Sequence, residues 1–173
     1  MTVYFAADHA GFELKRALMA HVRTLGYDVE DLGAYTFNPD DDYPDFVAPL
    51  AQKVVDESAR GVVIGGSGQG EAMTANRVKG ARAAVFYGPA RVSTALEIEA
   101  SPNGSVALGG GKSEDAYDAI HLARRHNDAN ILSIGARFVS DGEAKEAVRI
   151  FLATPFKGGT PEGSRHVRRL AKF

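Results

Sequence analysis

The stretch GVVIGGSGQGE at residues 61–71 joins a short apolar run to a glycine-rich turn that ends in a carboxylate. The apolar run at 61–64 contains no polar residue, which predicts a strand buried on both faces. Helical spacing begins at Glu71 and continues to residue 78, so the glycines connect a strand to a helix. This strand–turn–helix unit predicts an α/β fold.

The rest of the chain repeats the alternation of strand and helix. Apolar runs predict further strands at residues 3–7, 81–86 and 131–134, and the polar stretch DVEDL at 28–32 is a plausible second strand in chain order. Amphipathic stretches predict helices at residues 12–25, 45–57, 71–78, 142–153 and from 161 onward. Strands that alternate with helices pair in parallel through right-handed crossovers. We therefore predict a Rossmann-like three-layer α/β/α sandwich with a five-stranded parallel sheet, which binds ligands outside the carboxyl ends of its strands.

One segment does not fit this alternation. Residues 88–114 contain a predicted helix at 90–100 and the run Gly109-Gly110-Gly111. The chain has 173 residues, a length that suits one domain. We interpret the segment as an insertion within a single domain at residues 1–173.

Charge and composition exclude several classes of protein. The formal net charge is −2, so no basic field favours nucleic acid. The absence of cysteine excludes disulfides, thiolate metal sites and a cysteine nucleophile. No apolar run is long enough to span a bilayer, and the first residues lack the features of a signal peptide. We expect a cytoplasmic protein that binds neither nucleic acid nor membrane.

The loop at residues 66–70 is the strongest candidate site. Glycines let the backbone turn tightly and bring N–H groups close to a ligand, and the end of the following helix adds positive potential. Together they predict an anion hole for a phosphate or a developing oxyanion. Glu71, which we expect to be kept ionised by the helix end, could remove a proton beside a carbonyl. A structural turn with a capping glutamate is the alternative.

Nucleotide binding is a weaker interpretation of the same glycines. Gly66, Gly68 and Gly70 alternate, so the G-x-G-x-x-G spacing is met only loosely. No convincing acidic partner for a ribose follows the second predicted strand. The run GGGKS at residues 109–113 imitates the end of a P-loop, but Val106 stands where the first glycine is required.

Polar residues also follow the first predicted strand. Asp8 could cap the first helix, and His9 lies where it could contact a phosphate. Further along, the run Asp40-Asp41-Asp42 lacks EF-hand spacing, and we interpret it as an acidic surface loop. We expect no metal site.

Two further groups of polar residues lie in the second half of the chain. His126 and Asn127 belong to a polar cluster before the last strand, and Arg137 follows that strand. Arg165 and Arg169 share one helix face, where both guanidinium groups could hold a single phosphate. A structural histidine and a solvated basic tail are the alternatives.

Taken in order, six motifs resemble type B ribose-5-phosphate isomerases and the related galactose-6-phosphate isomerase subunits. The motifs are DHAGFELK at 8–15, DYPD at 42–45, GSGQG at 66–70, ANRVKG at 75–80, HNDAN at 126–130, and Arg165-His166 with Arg169. The resemblance covers nearly the whole chain apart from residues 88–114. It implies an aldose–ketose isomerase of the pentose phosphate pathway that uses no metal or cofactor. It also implies a homodimer with shared active sites, sometimes paired into tetramers.

The resemblance implies a base and an anion hole for proton transfer through a cis-enediolate between ribose 5-phosphate and ribulose 5-phosphate. Many relatives carry a cysteine base at the position of Gly65. A second branch has glycine there and a glutamate at the position of Glu71, which is therefore the implied base. The implied anion hole consists of Gly66, Ser67, Gly68, Gln69 and Gly70.

Further roles follow from the same resemblance. His126 would open the sugar ring as an acid, and Asp8 would bind a sugar hydroxyl or assist that step. Asn127 would bind the sugar. The residues implied to hold the phosphate, some of them across a dimer interface, are His9, Arg137, Arg165 and Arg169.

Two other functions remain open. An isomerase of a hexose or tetrose phosphate would use the same chemistry, and the insertion leaves the choice of sugar undecided. A non-catalytic sugar-phosphate binding protein is favoured by the loss of the cysteine. The presence of Glu71, Ser67 and His126 together argues against it.

Overall fold

The computed structural model describes residues 1–90 and 115–173. The predicted helix at 90–100 and most of the predicted insertion therefore lie outside the described residues. The strands are β1 (Thr2–Ala7), β2 (Asp28–Asp31), β3 (Arg60–Gly65), β4 (Ala83–Phe86) and β5 (Ile131–Gly135). The helices are α1 (Phe12–Thr24), α2 (Pro44–Asp56), α3 (Gln69–Ala75), α4 (Asp118–Asn127), α5 (Asp141–Ala153) and α6 (Ser164–Leu170). In these ranges no helix has both the length and the apolar character needed to cross a membrane.

The five strands form one parallel sheet in the order β2-β1-β3-β5-β4. The predicted five-stranded parallel sheet is thus confirmed. The order reverses between β1 and β3, which makes their carboxyl ends the topological switch point of the sheet. Ligands bind at such a point in open α/β sheets. Asp8 and the glycine-rich loop directly follow these two ends.

Helices cover both faces of the sheet, as the apolar strands predicted. Alternate residues of β1 point to opposite faces because the side-chain period of a strand is two. Val3 and Phe5 pack with residues of α1, α4 and α5. Tyr4 and Ala6 pack with residues of α2 and α3. The result is a three-layer α/β/α sandwich.

Helix α3 ends three residues earlier than predicted, at Ala75 instead of residue 78. The next residue, Asn76, uses its side chain to hold the start of β4. Its Nδ2 donates to the carbonyl of Ala83 at 3.1 Å, and its Oδ1 accepts from the N–H of Ala83 at 2.7 Å. This pair of hydrogen bonds explains why the helix stops and where the strand begins.

A buried lysine fixes α1 to the end of β2. Lys15 has no solvent exposure, and its Nζ donates to Oδ1 of Asp31 and to the carbonyl of Ala34, both at 2.6 Å. We expect Lys15→Met to lower the free energy of unfolding by about 3 kcal/mol, because a carboxylate and a buried carbonyl lose their donor. Urea titration followed by far-UV circular dichroism measures this.

Lys53→Met is the matched control for that substitution. Lys53 pairs with Glu30 at 2.6 Å, but both side chains are well exposed. Exposed ion pairs contribute little, so we expect a loss below about 1 kcal/mol. Equal losses for the two variants would show that the buried pair does not anchor α1.

Candidate active site

Three segments meet at the carboxyl edge of the sheet. Asp8 follows β1, the loop at 66–70 follows β3, and Arg137 follows β5. Asp8 is buried, and its Oδ1 accepts from the N–H groups of Ala10 and Gly11 at 2.9 and 3.2 Å. These hydrogen bonds close the turn that leads into α1, whose N-cap residue is Gly11 and has no side-chain cap, so the expectation that Asp8 caps the helix is wrong. They hold the Asp8 carboxylate in place at the switch point.

The glycine-rich loop is fastened to β5. Gly68 has a left-handed backbone, with φ of +74°, and its carbonyl accepts from Oγ of Ser133 at 2.6 Å. The carbonyl of Gly65 accepts from the N–H of Ala136 at 2.8 Å. The exposed side chain of Ser67 accepts from the N–H of Gln69 at 3.3 Å. The neighbouring strand thus holds the loop backbone in a defined shape.

Glu71 lies in the first turn of α3 and folds back against Gly65. The residue is only 3% exposed. A Cβ atom at position 65 would lie 2.9 Å from Oε2 of Glu71 and closer still to Oε1 and Cδ. Only glycine leaves room for this carboxylate. The carboxylate therefore occupies the space that a side chain at position 65 would take.

The environment of Glu71 raises its pKa. Burial is the main cause, and the negative charge of Asp8 adds to it, while a backbone hydrogen bond acts in the opposite direction. Burial therefore opposes the effect of the helix end, which favours the ionised form. A carboxylate with a raised pKa is a stronger base.

For a general base at this position, the raised pKa would set the acid side of the pH profile. A base must be ionised, so activity falls as pH drops through its pKa. We expect kcat/KM to fall on the acid side of its pH profile (the acid limb) at a higher pH than it would for a glutamate with an ordinary pKa. Asp8→Asn should move that limb to lower pH, because it removes a negative charge that disfavours ionisation of Glu71. An unmoved limb would mean that the group titrating is not Glu71.

His9 contacts the acidic run that we interpreted as a surface loop. Oδ1 of Asp41 accepts from the backbone N–H of His9 at 2.9 Å and lies 2.8 Å from the ring Nδ1. Asp40 and Asp42 are exposed as expected, but the side chain of Asp41 is only 6% exposed. The surface interpretation is wrong for this residue.

Arg137 lies directly over the glycine-rich loop. A Cβ at Gly66 would lie 3.1 Å from Cζ of Arg137, and the N–H of Arg137 donates to the carbonyl of Gly66 at 3.2 Å. Its side chain is exposed. A guanidinium group here places a fixed positive charge beside the loop, where an anion could be bound.

The remaining predicted residues form a second group. His126 and Asn127 are the last two residues of α4. The ring of His126 stacks on that of the buried His166 of α6, with centroids 4.2 Å apart and planes 12° apart. Helix α6 also carries Arg165, half-buried, and Arg169, exposed.

This second group lies at the amino edge of the sheet. Helix α4 ends four residues before β5, and the carbonyl of Asn130 accepts from the N–H of Gly61 at the start of β3. Strand β3 has six residues, which at about 3.3 Å per residue gives roughly 17 Å between its ends. One chain therefore does not bring His126 to Glu71.

A cleft of about 620 Å³ opens beside the second group. Asn127 lines it together with the residues that lead into β4, and the C-terminal Leu170 and Phe173 close one side. Neither Glu71 nor Asp8 lines this cleft. In the described part of the chain, no three His, Asp or Glu side chains converge in a way that could hold a metal ion.

A family model and individual relatives both match this protein over nearly its whole length. The family model described as Ribose/Galactose Isomerase matches residues 3–101 and 110–173. Ribose-5-phosphate isomerase B of Mycolicibacterium paratuberculosis is 37% identical over 171 residues, which cover 98% of this chain and 87% of that protein.

Two solved structures have a similar fold. Ribose-5-phosphate isomerase B of Mycoplasma genitalium, with bound ribulose-5-phosphate, has a TM-score of 0.77 and 34% identity, covering 99% of this chain and 92% of that one. The enzyme of Clostridium thermocellum has a TM-score of 0.77 and 32% identity, covering 99% and 94%. The resemblance predicted from the six motifs is confirmed: the chain belongs to the Ribose/Galactose Isomerase family.

Proposed function

We propose that the protein interconverts ribose 5-phosphate and ribulose 5-phosphate, with Glu71 as the base. The observation that carries the proposal is the buried carboxylate of Glu71, held against Gly65 beside a loop of backbone N–H groups. The family assignment and the ribulose-5-phosphate bound to the Mycoplasma genitalium relative support the choice of substrate. The reaction is proposed to proceed without a metal, in the cytoplasm, as part of the pentose phosphate pathway.

The first step opens the sugar ring. His126 donates a proton to the ring oxygen as the bond from that oxygen to C1 breaks, and the C1 hydroxyl gives its proton to a water molecule as C1 becomes the aldehyde. Asp8 binds a sugar hydroxyl or assists this proton transfer, and Asn127 binds the sugar. A histidine suits the first role because its pKa lies near neutral pH.

The second step moves one proton between neighbouring carbons. Glu71 removes the proton from C2, and the electron pair of that bond forms a cis-enediolate whose negative charge lies on oxygen. The N–H groups at 66–70 and the hydroxyl of Ser67 stabilise this charge. Glu71 then returns the proton to C1 while the hydroxyl proton on O2 passes to O1, so that C2 becomes the carbonyl carbon of the ketose. A single carboxylate serves both carbons because they are adjacent.

The phosphate anchors the substrate during both steps. His9 and Arg137 lie at the carboxyl edge, and Arg165 and Arg169 lie with His126 at the amino edge. Arginine forms strong charge-assisted hydrogen bonds to phosphate. Binding energy from this remote group orients C1 and C2 toward Glu71.

Two chains are needed to complete such a site. The two groups of residues are separated by roughly the length of a strand within one chain. In a homodimer with two-fold symmetry, the carboxyl edge of one protomer can face the amino edge of its partner, giving two equivalent sites. We propose this arrangement, in which Glu71 of one protomer works with His126 of the other.

A panel of substrates tests the proposal. The purified protein is assayed with phosphates of ribose, ribulose, a tetrose and a hexose, with and without a chelator. We expect the pentose phosphates to have the highest kcat/KM and the chelator to leave it unchanged. Faster turnover of a tetrose or hexose phosphate would show that the substrate is that sugar phosphate and not ribose 5-phosphate. Loss of turnover with the chelator would refute metal independence, and binding without turnover would indicate a non-catalytic protein.

A further inference from the structure

The side chain of Asp41 is buried, whereas its two acidic neighbours are exposed. Its side chain is 6% exposed, and the neighbours are Asp40 and Asp42. Removing an ionised carboxylate from water is unfavourable unless hydrogen bonds compensate for the loss of hydration. The partners of Asp41 therefore indicate its role.

The hydrogen bonds of Asp41 go to His9. Oδ1 accepts from the backbone N–H at 2.9 Å and lies 2.8 Å from the ring Nδ1. An ionised carboxylate can only accept, so Nδ1 carries the hydrogen of this contact. The other ring nitrogen, Nε2, is then left for a different partner. Asp41 thus fixes both the orientation of the ring and the nitrogen that it presents.

The second oxygen of Asp41 supports a functional interpretation. Oδ2 is buried and has no hydrogen-bond partner among residues 1–90 and 115–173. An unsatisfied buried acceptor is unfavourable, and such groups in native proteins call for an explanation. The contacts that Oδ1 makes both go to His9, so the role that they indicate for Asp41 is to hold that residue.

We propose that Asp41 is a positioning residue that directs Nε2 of His9 at the phosphate of the substrate. The ring of His9 is one-third exposed at the carboxyl edge, directly after Asp8, so it is accessible to a ligand there. The inference deepens the proposed function and rests on it for the identity of that ligand. No role for Asp41 followed from the motifs in the sequence.

Imidazole ¹⁵N NMR tests the contact itself. In the wild-type protein we expect His9 to be protonated at Nδ1, and we expect added inorganic phosphate to shift the Nε2 signal. Asp41→Ala should redistribute the ring hydrogen between the two nitrogens and weaken the response to phosphate. Asp40→Ala, an equal loss of charge at an exposed neighbour, should match the wild type. Asp41→Asn, which keeps the size of the side chain, replaces Asp41→Ala if that variant fails to fold.

Steady-state kinetics test the consequence. Asp41→Ala should raise KM for ribose 5-phosphate about tenfold. A factor of this size corresponds to the loss of one hydrogen bond to a charged group. We expect kcat to change by less than about threefold, because Glu71 is untouched. An Nδ1 without a hydrogen in the wild type, or an Asp41→Ala variant equal to Asp40→Ala in spectrum and KM, would overturn the inference. If no sugar phosphate is turned over, the proposed function fails, while the ring spectra and the phosphate titration still decide the role of Asp41.

Discussion

Replacing Glu71 by glutamine is expected to lower kcat about a thousandfold, within the range that general base catalysis contributes. Glutamine has nearly the same shape as glutamate, so it fits the space above Gly65 that no other side chain occupies. It cannot accept a proton from carbon. Because the glycine-rich loop and the residues proposed to hold the phosphate are unchanged, binding of ribose 5-phosphate should be retained.

Two measurements make this prediction specific. The turnover number is measured with saturating ribose 5-phosphate, and the dissociation constant is measured by calorimetry on the same preparation. Glu13→Gln serves as the control, because the side chain of Glu13 is 80% exposed on α1 and the substitution removes the same charge. A Glu71→Gln variant with the turnover of this control would exclude Glu71 as the base.

Replacing Gly65 by alanine is expected to lower kcat/KM about a hundredfold. The added methyl group would occupy the position of the Glu71 carboxylate, which must move away from the loop. A displacement of about 1 Å at a reacting group can cost a factor of this size. Gly142→Ala is the control, since a Cβ there meets no atom within 4 Å. Circular dichroism establishes that both variants fold.

A double variant tests the overlap between a side chain at position 65 and the carboxylate of Glu71 by removing the carboxylate. Gly65→Cys combined with Glu71→Ala removes the collision and places a thiol where the carboxylate stood. We expect this double variant to be more active than Glu71→Ala alone, since a thiolate is also a base. A Gly65→Ala variant as active as Gly142→Ala would show that the position of the carboxylate is not important for the reaction.

The regular elements of the fold could be predicted because local pattern determines them. The apolar runs form parallel strands as predicted, and the loop at 66–70 lies at the carboxyl edge of the sheet as expected. The end of α3 could not be predicted, because Asn76 leaves the helix to bond with Ala83 seven residues later. Such a bond depends on where β4 lies in the fold.

The candidate site was predictable in its residues and less so in its arrangement. Position after a strand was enough to place Asp8 and Glu71 at one edge. The pairing of Asp41 with His9 joins residues 32 apart, and the run of three aspartates gives no signal for which one turns inward. The raised pKa of Glu71 arises from burial and from Asp8, neither of which is visible in the spacing. The separation of His126 from Glu71 follows from the direction of α4 relative to the sheet.

Mixing two inactive variants tests most directly whether Glu71 and His126 act together across two chains. Glu71→Gln and His126→Ala are expected to be nearly inactive alone. After co-expression in equal amounts, random pairing makes half of the dimers mixed, and each mixed dimer has one intact site. We predict recovery of roughly a quarter of wild-type kcat, with the mixed dimer identified by native mass spectrometry. Mixed dimers without recovered activity would contradict the account.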